Sequence, residues 1–259
     1  MGRSYIVLLC DHLIALAANN SINSLTSFAG THTRRAASPL CPTCLRPLLK
    51  SYVFNLKGPV MDEISREVSN LESLLRLPSG FYNSLMAEDD WSFVIKLSAL
   101  FEAASGQALA AKLQHSEIES ELSYLEQVKK INLILKLNII TKEQSKFLID
   151  LASLRNTLVH NISNVTFSWE TYTSKLDKNQ KKSFAKVFGQ GVHEKFEIND
   201  VSLNRTDFTV ENPKMAIWVT AQEILACLHA DIENSSNIRK INEIGQKLVQ
   251  NITNQLSAD

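Results

Sequence analysis

The chain has 259 residues, 44% of them apolar, which suffices for a globular core and excludes wholesale disorder. Lys plus Arg and Asp plus Glu each total 27, so no global basic field exists to hold nucleic acid through bulk charge, although a local basic site stays open. With 8 Gly and 6 Pro among long Leu/Ile/Ala/Lys/Glu segments, the expected fold class is all-α rather than a many-turned β fold.

Taken in chain order, Tyr5 to Ala18 is apolar but interrupted by Asp11 and His12. It is too short to span a bilayer as a helix, and the break makes a poor core for a secretory signal. Cys41-Pro-Thr-Cys44 has the spacing of half a zinc site, but no second Cys or His pair follows it, so it reads as incidental. The character changes at Met61, where an amphipathic helix begins. Residues 1–60 are expected to be a poorly ordered leader or a misassigned start. Three of the four cysteines lie there and only Cys227 lies in the body. No disulfide framework is expected, and a reducing, cytoplasmic location without a membrane fits.

Residues 61–87 form an expected helical extension, with Ile64, Val68, Leu71, Leu74 and Leu75 near helical spacing and a break at Pro78-Ser79-Gly80. Asp89 and Asp90 are placed to cap the next helix, Trp91 to about Leu113, which is apolar almost all round as in the centre of a bundle. Glu102 sits inside it. It either reaches water at the bundle edge or pairs with Arg155, since an unpaired buried charge is strongly disfavoured. Ser116 to Ile139 reads as the next helix. Thr141 and Gln144 have the spacing of a capping box, and the short turn before them predicts antiparallel packing.

The helix 141–161 carries the polar set that could support chemistry. Phe147, Leu151, Leu154, Leu158 and Ile162 make one apolar stripe. At about 100° per residue, Asn156 and His160 fall one turn apart on another face, while Arg155 lies about 140° from His160. Arg155 and His160 therefore do not converge along a straight helix. They meet if Arg155 curls round, if the helix ends at Asn161, or if a second copy supplies the other half.

Residues 163–212 read as an insertion. It holds a short helix, Leu176 to Phe188, and two short strands, Lys195 to Ile198 and Asp207 to Val210. The run Lys175, Lys178, Lys181, Lys182 and Lys186 is expected to be a solvated helix face, with phosphate contact as its functional reading. Asn212-Pro213 starts a buried helix over 213–233. A last amphipathic helix is expected from Ile238 to about Leu256, within a C-terminal segment 236–259.

Arg155-Asn156-Thr-Leu-Val-His160, late in a capped helix of an all-α chain, resembles the HEPN superfamily, whose signature is Arg, four to six residues, then His. Leu151-Ala-Ser-Leu-Arg-Asn-Thr-Leu-Val-His-Asn161 is similar to the mannitol-operon-repressor-like branch. Leu137-Asn138-Ile139-Ile140 departs from that branch by losing a glycine. The resemblance covers about residues 88–235, outside the insertion. It implies an antiparallel four- to five-helix bundle. It also implies a metal-independent endoribonuclease of toxin, stress or defence type, dimeric through the face of helix 141–161, acting on RNA without a cofactor. In that reading His160 is general base or acid on the RNA 2′-hydroxyl. Arg155 stabilises charge on the scissile phosphate, Asn156 orients His160 or the phosphate, and Glu102 positions Arg155. The other readings are a non-catalytic dimerisation or regulatory module, in which the same residues are polar glue, and a toxin masked by an antitoxin partner.

Overall fold

The computed structural model describes residues 59–198 and 201–256; all of the expected leader 1–60 except Pro59 and Val60, and with it Cys41 and Cys44, lies outside the described residues. The described residues are all-α but for one two-stranded sheet. Its helices are α1 (Pro59–Leu74), α2 (Phe81–Ser84), α3 (Asp90–Lys112), α4 (Glu119–Ser123), α5 (Gln127–Lys136), α6 (Lys142–Val159), α7 (Trp169–Ser174), α8 (Lys178–Phe188), α9 (Arg205–Glu211) and α10 (Pro213–Leu256). The strands β1 (Lys195–Ile198) and β2 (Val201–Asn204) pair antiparallel between α8 and α9.

The described residues form two compact units, one of Thr166–Glu223 with the residues up to Arg66, the other of Glu67–Val165 with Ile224 onward. The second unit is a helical bundle centred on α3. Asp89 caps α3 by accepting the Ser92 N–H at 2.9 Å, and the helix then buries Phe93, Val94, Leu97, Phe101, Ala104 and Ala108 on several faces. It packs on α5 and α6, and Phe101 meets Phe147 of α6 edge to face with centroids 5.8 Å apart. α6 begins at the expected capping box. Thr141 Oγ1 accepts from Gln144 N at 3.2 Å while Gln144 Oε1 accepts from Thr141 N at 2.9 Å. The break at Pro78-Ser79-Gly80 is pinned by Glu72, a buried carboxylate that accepts the Gly80 and Tyr82 N–H groups at 2.9 and 2.7 Å. Gly80 takes φ 78°, which a residue without a Cβ adopts at little cost.

The segment expected as an insertion has a core of its own. Trp169, Phe184 and Phe188 are buried and stack with Phe167 and Tyr172 at centroid distances of 5.0–6.4 Å. Gly191 is pressed against this unit's part of α10, its N–H donating to Thr220 Oγ1 at 3.0 Å while that hydroxyl donates to Phe188 O at 3.0 Å.

Four expected elements differ. Ser116 to Ile139 is not one helix: it is a 3-10 turn, Ser116–Ile118, followed by α4 and α5 with a bend at residues 124–126. The second strand is Val201–Asn204, not Asp207 to Val210. Asn204 accepts the Asp207 N–H at 2.9 Å through its side chain and so starts α9 where the strand was expected. The helices 213–233 and 238–256 are one continuous helix, because Asn234-Ser235-Ser236-Asn237 contains no breaker strong enough to end it. In its last part Ile238, Ile241, Ile244, Leu248 and Ile252 form an exposed apolar stripe, 44–67% accessible. Asp90–Lys112 and Pro213–Gln255 are long and apolar enough to cross a membrane, but 61% and 72% of their apolar windows are buried within the protein, the pattern of core helices.

Candidate functional site

The apolar stripe of α6 faces the bundle through Phe147, Leu148, Leu151 and Leu158, which are buried. That packing sets the polar residues of its last two turns outward. Arg155 is half-buried, while Asn156 and His160 are exposed. The helix ends at Val159, and His160 is its C-cap, with the His160 N–H donating to Asn156 O at 3.3 Å. The last carbonyls are satisfied from outside the helix. Asn164 Nδ2 donates to Thr157 O at 2.8 Å, and Trp91 Nε1 donates to Leu158 O at 3.4 Å. The end of α6 is thus held in place by side chains from the following turn and from α3.

Arg155 Nη1 donates to Asn156 Oδ1 at 3.1 Å, so the neighbouring amide holds the guanidinium. No hydrogen bond or ion pair joins Arg155 to His160 within the chain, so Arg155 does not curl round to it across the 140° offset. Glu102 does not pair with Arg155. Its Oε1 lies 3.4 Å from Nζ of Lys130, a side chain only 3% exposed, whereas Glu102 itself is 44% exposed. Of the two expected alternatives, the edge position reaching water is present and the pairing with Arg155 is not; the cation beside Glu102 is Lys130 of α5. Close in the chain to the polar set, the apolar side chains Val159, Ile162 and Val165 are exposed, Ile162 87% accessible.

Three lysines of the basic run, Lys178, Lys181 and Lys182, line a cavity of about 470 Å³ with Asn204, Thr206 and Asp207. The apolar face of their helix is buried through Phe184, Ala185, Val187 and Phe188, which turns most of the lysines to solvent.

A second cluster escaped sequence reasoning. Glu67, His229 and Glu233 bring their ligand-type atoms within 4.8 Å of one another, with His229 Nδ1 2.7 Å from Glu67 Oε2. The four-residue spacing of His229 and Glu233 on one helix face was a readable signal, but Glu67 comes from a helix 162 positions away and gave none.

Comparison of the chain with protein-family models, with curated proteins and with solved structures finds no match.

Proposed function

We propose that this protein is a HEPN-type endoribonuclease that cleaves RNA without a metal, through a composite site built from two copies. The observation that carries the reading is the outward presentation of Arg155, Asn156 and His160 at the end of a core helix, with Val159 and Ile162 exposed next to them in the chain. Exposed apolar residues beside a polar set are what a two-fold interface requires. Such an interface places one copy's Arg155 beside the other's His160. His160 then takes the proton of the RNA 2′-hydroxyl, the oxygen attacks the adjacent phosphorus, and the bond to the 5′-oxygen breaks, that oxygen taking a proton from solvent. The products are a 2′,3′-cyclic phosphate and a 5′-hydroxyl. Arg155 offers a planar, permanently charged fork to the phosphate oxygens. Asn156 orients that fork through the hydrogen bond it already makes. The exposed stripe of α10 offers further apolar surface for association. A toxin or defence role, with a masking antitoxin, and a cytoplasmic location belong to the same reading.

A second reading is favoured by the pairing of Glu102 with Lys130, which leaves Arg155 without the carboxylate expected to position it. It makes the protein a non-catalytic dimerisation or regulatory module, with Arg155 and Asn156 as polar contacts at the dimer face. Incubation of the purified chain with RNA in EDTA separates the two. The nuclease reading expects cleavage that His160→Ala abolishes without unfolding the bundle. Equal activity, or equal inactivity, of both proteins refutes it.

A further inference from the structure

We propose that Glu67, His229 and Glu233 form a binding site for a divalent first-row transition-metal ion such as zinc. The site shares no residue with Arg155, Asn156 and His160 and is independent of the nuclease reading. His229 and Glu233 are one turn apart on α10, and Glu67 reaches them from α1. His229 is 4% exposed, so its ring is fixed by packing, while Glu67 is partly buried and Glu233 is exposed.

The geometry fits three ligands on one ion. Metal–ligand bonds of about 2.0–2.2 Å place neighbouring ligand atoms roughly 3.0–3.5 Å apart. His229 Nδ1 and Glu67 Oε2, at 2.7 Å, already lie at nearly that separation. The widest spacing in the cluster is 4.8 Å or less, and a change of rotamer of the exposed Glu233 side chain closes it. An ion bound at Nδ1 replaces the Nδ1–carboxylate hydrogen bond and uses the imidazole tautomer that carries its N–H on Nε2.

The donor set selects the class of ion. Mg²⁺ and Ca²⁺ take oxygen ligands, so a buried imidazole argues against both, and the absence of sulfur argues against Cu⁺. One imidazole with two carboxylates suits Zn²⁺, Mn²⁺ or Co²⁺. Three protein ligands leave a coordination position open. His229 and Glu233 also line an open cavity of about 570 Å³, whose wall includes Asn70, Ser73, Asn237 and Lys240. The open position therefore faces a polar recess with room for water or a small anion, the latter met by the Lys240 ammonium. A hydrogen-bonded pair that merely clipped α1 to α10 would need Glu67 and His229 but neither Glu233 nor the recess.

The test is calorimetric titration of Zn²⁺ into the chelator-treated full chain, with Co²⁺ absorption as a report on the ligands. One equivalent should bind, the Co²⁺ spectrum should show nitrogen and oxygen ligation, and zinc should raise the melting temperature. Glu233→Gln, on an exposed side chain, should leave the metal-free melting temperature unchanged and weaken binding about tenfold or more. His229→Gln should abolish binding. Because that side chain is buried and its loss alone can unfold the bundle, the Glu233→Gln result decides. Equal zinc affinity in wild type and Glu233→Gln overturns the proposal. So does a thiolate-to-cobalt band that disappears in the Cys41→Ser/Cys44→Ser protein, or no binding at millimolar zinc.

Discussion

Replacing Glu102 by Ala separates what the sequence expects of this carboxylate from what the structure gives it. Its partner, the Lys130 ammonium, is 3% exposed and lies 3.4 Å away. Removing one member of a fully buried ion pair costs about 3–5 kcal/mol, because the other charge is left without a counter-ion or water. Glu102 is 44% exposed, so water already competes for it and the pair is partly screened. That lowers the expected cost of Glu102→Ala to about 1–3 kcal/mol. Lys130→Met removes the buried charge itself and leaves Glu102 solvated, so its cost should be small. The double variant should match Lys130→Met to within about 0.5 kcal/mol, since deleting Glu102 no longer strands anything. The assay is urea unfolding at neutral pH followed by far-UV circular dichroism, with the slope unchanged across the set. The reasoning is refuted if Glu102→Ala is as stable as wild type, or if its cost persists in the Lys130→Met background. A loss of RNA cleavage without loss of stability would instead return Glu102 to the role of positioning Arg155.

Further predictions concern stability. Burial pushes the half-buried Glu223 carboxyl above its ordinary value of 4.5. Between the ordinary and the raised value the folded state holds a proton that the unfolded state has released. The contribution of Glu223 to stability is therefore complete below the ordinary value and is lost as pH rises through the raised one. Glu223→Gln should flatten that fall and be more stable than wild type at neutral pH but not at pH 4, as measured by denaturant unfolding at the two pH values. A Cβ at Gly191 would stand 2.8 Å from Thr220 Cα and 3.0 Å from Thr220 N, backbone atoms that cannot swing aside. Gly191→Ala should cost about 1–3 kcal/mol. Gly106→Ala, in mid-helix with nothing within 4 Å, should stabilise by about 0.5–1 kcal/mol in the same measurement.

The sequence was legible where the physics is local. The Thr141–Gln144 capping box, the Asp89 cap, the buried face of α3 and that of α6 at Phe147, Leu151 and Leu158 follow from residues within a few turns of one another, and are present; Ile162, expected at the end of the α6 stripe, lies past the helix and is 87% exposed. It misled where a direction changes without a breaker. The apolar spacing of Leu122, Leu125, Val128 and Ile131 runs through the bend at residues 124–126, so periodicity does not register it. The opposite error joined four polar residues, Asn234 to Asn237, into a gap that a helix stabilised by its neighbours simply crosses. Long-range pairings carried no local signal at all. Lys130 beside Glu102, Glu72 under the Gly80 turn, and Glu67 beside His229 each depend on which helices meet. For the polar set, periodicity alone gave the main geometric result: Arg155 and His160 of one chain are not joined.

The composite site is therefore the claim to test, by mixing two inactive proteins. Arg155→Ala and His160→Ala are each purified, combined, dissociated and allowed to reassociate, and RNA cleavage is followed in EDTA. Random pairing makes half the dimers mixed, each with one intact Arg155–His160 pair of two, so activity should return to about a quarter of wild type. A mixture as inactive as its parents, or a wild-type protein that leaves RNA uncut, contradicts the account.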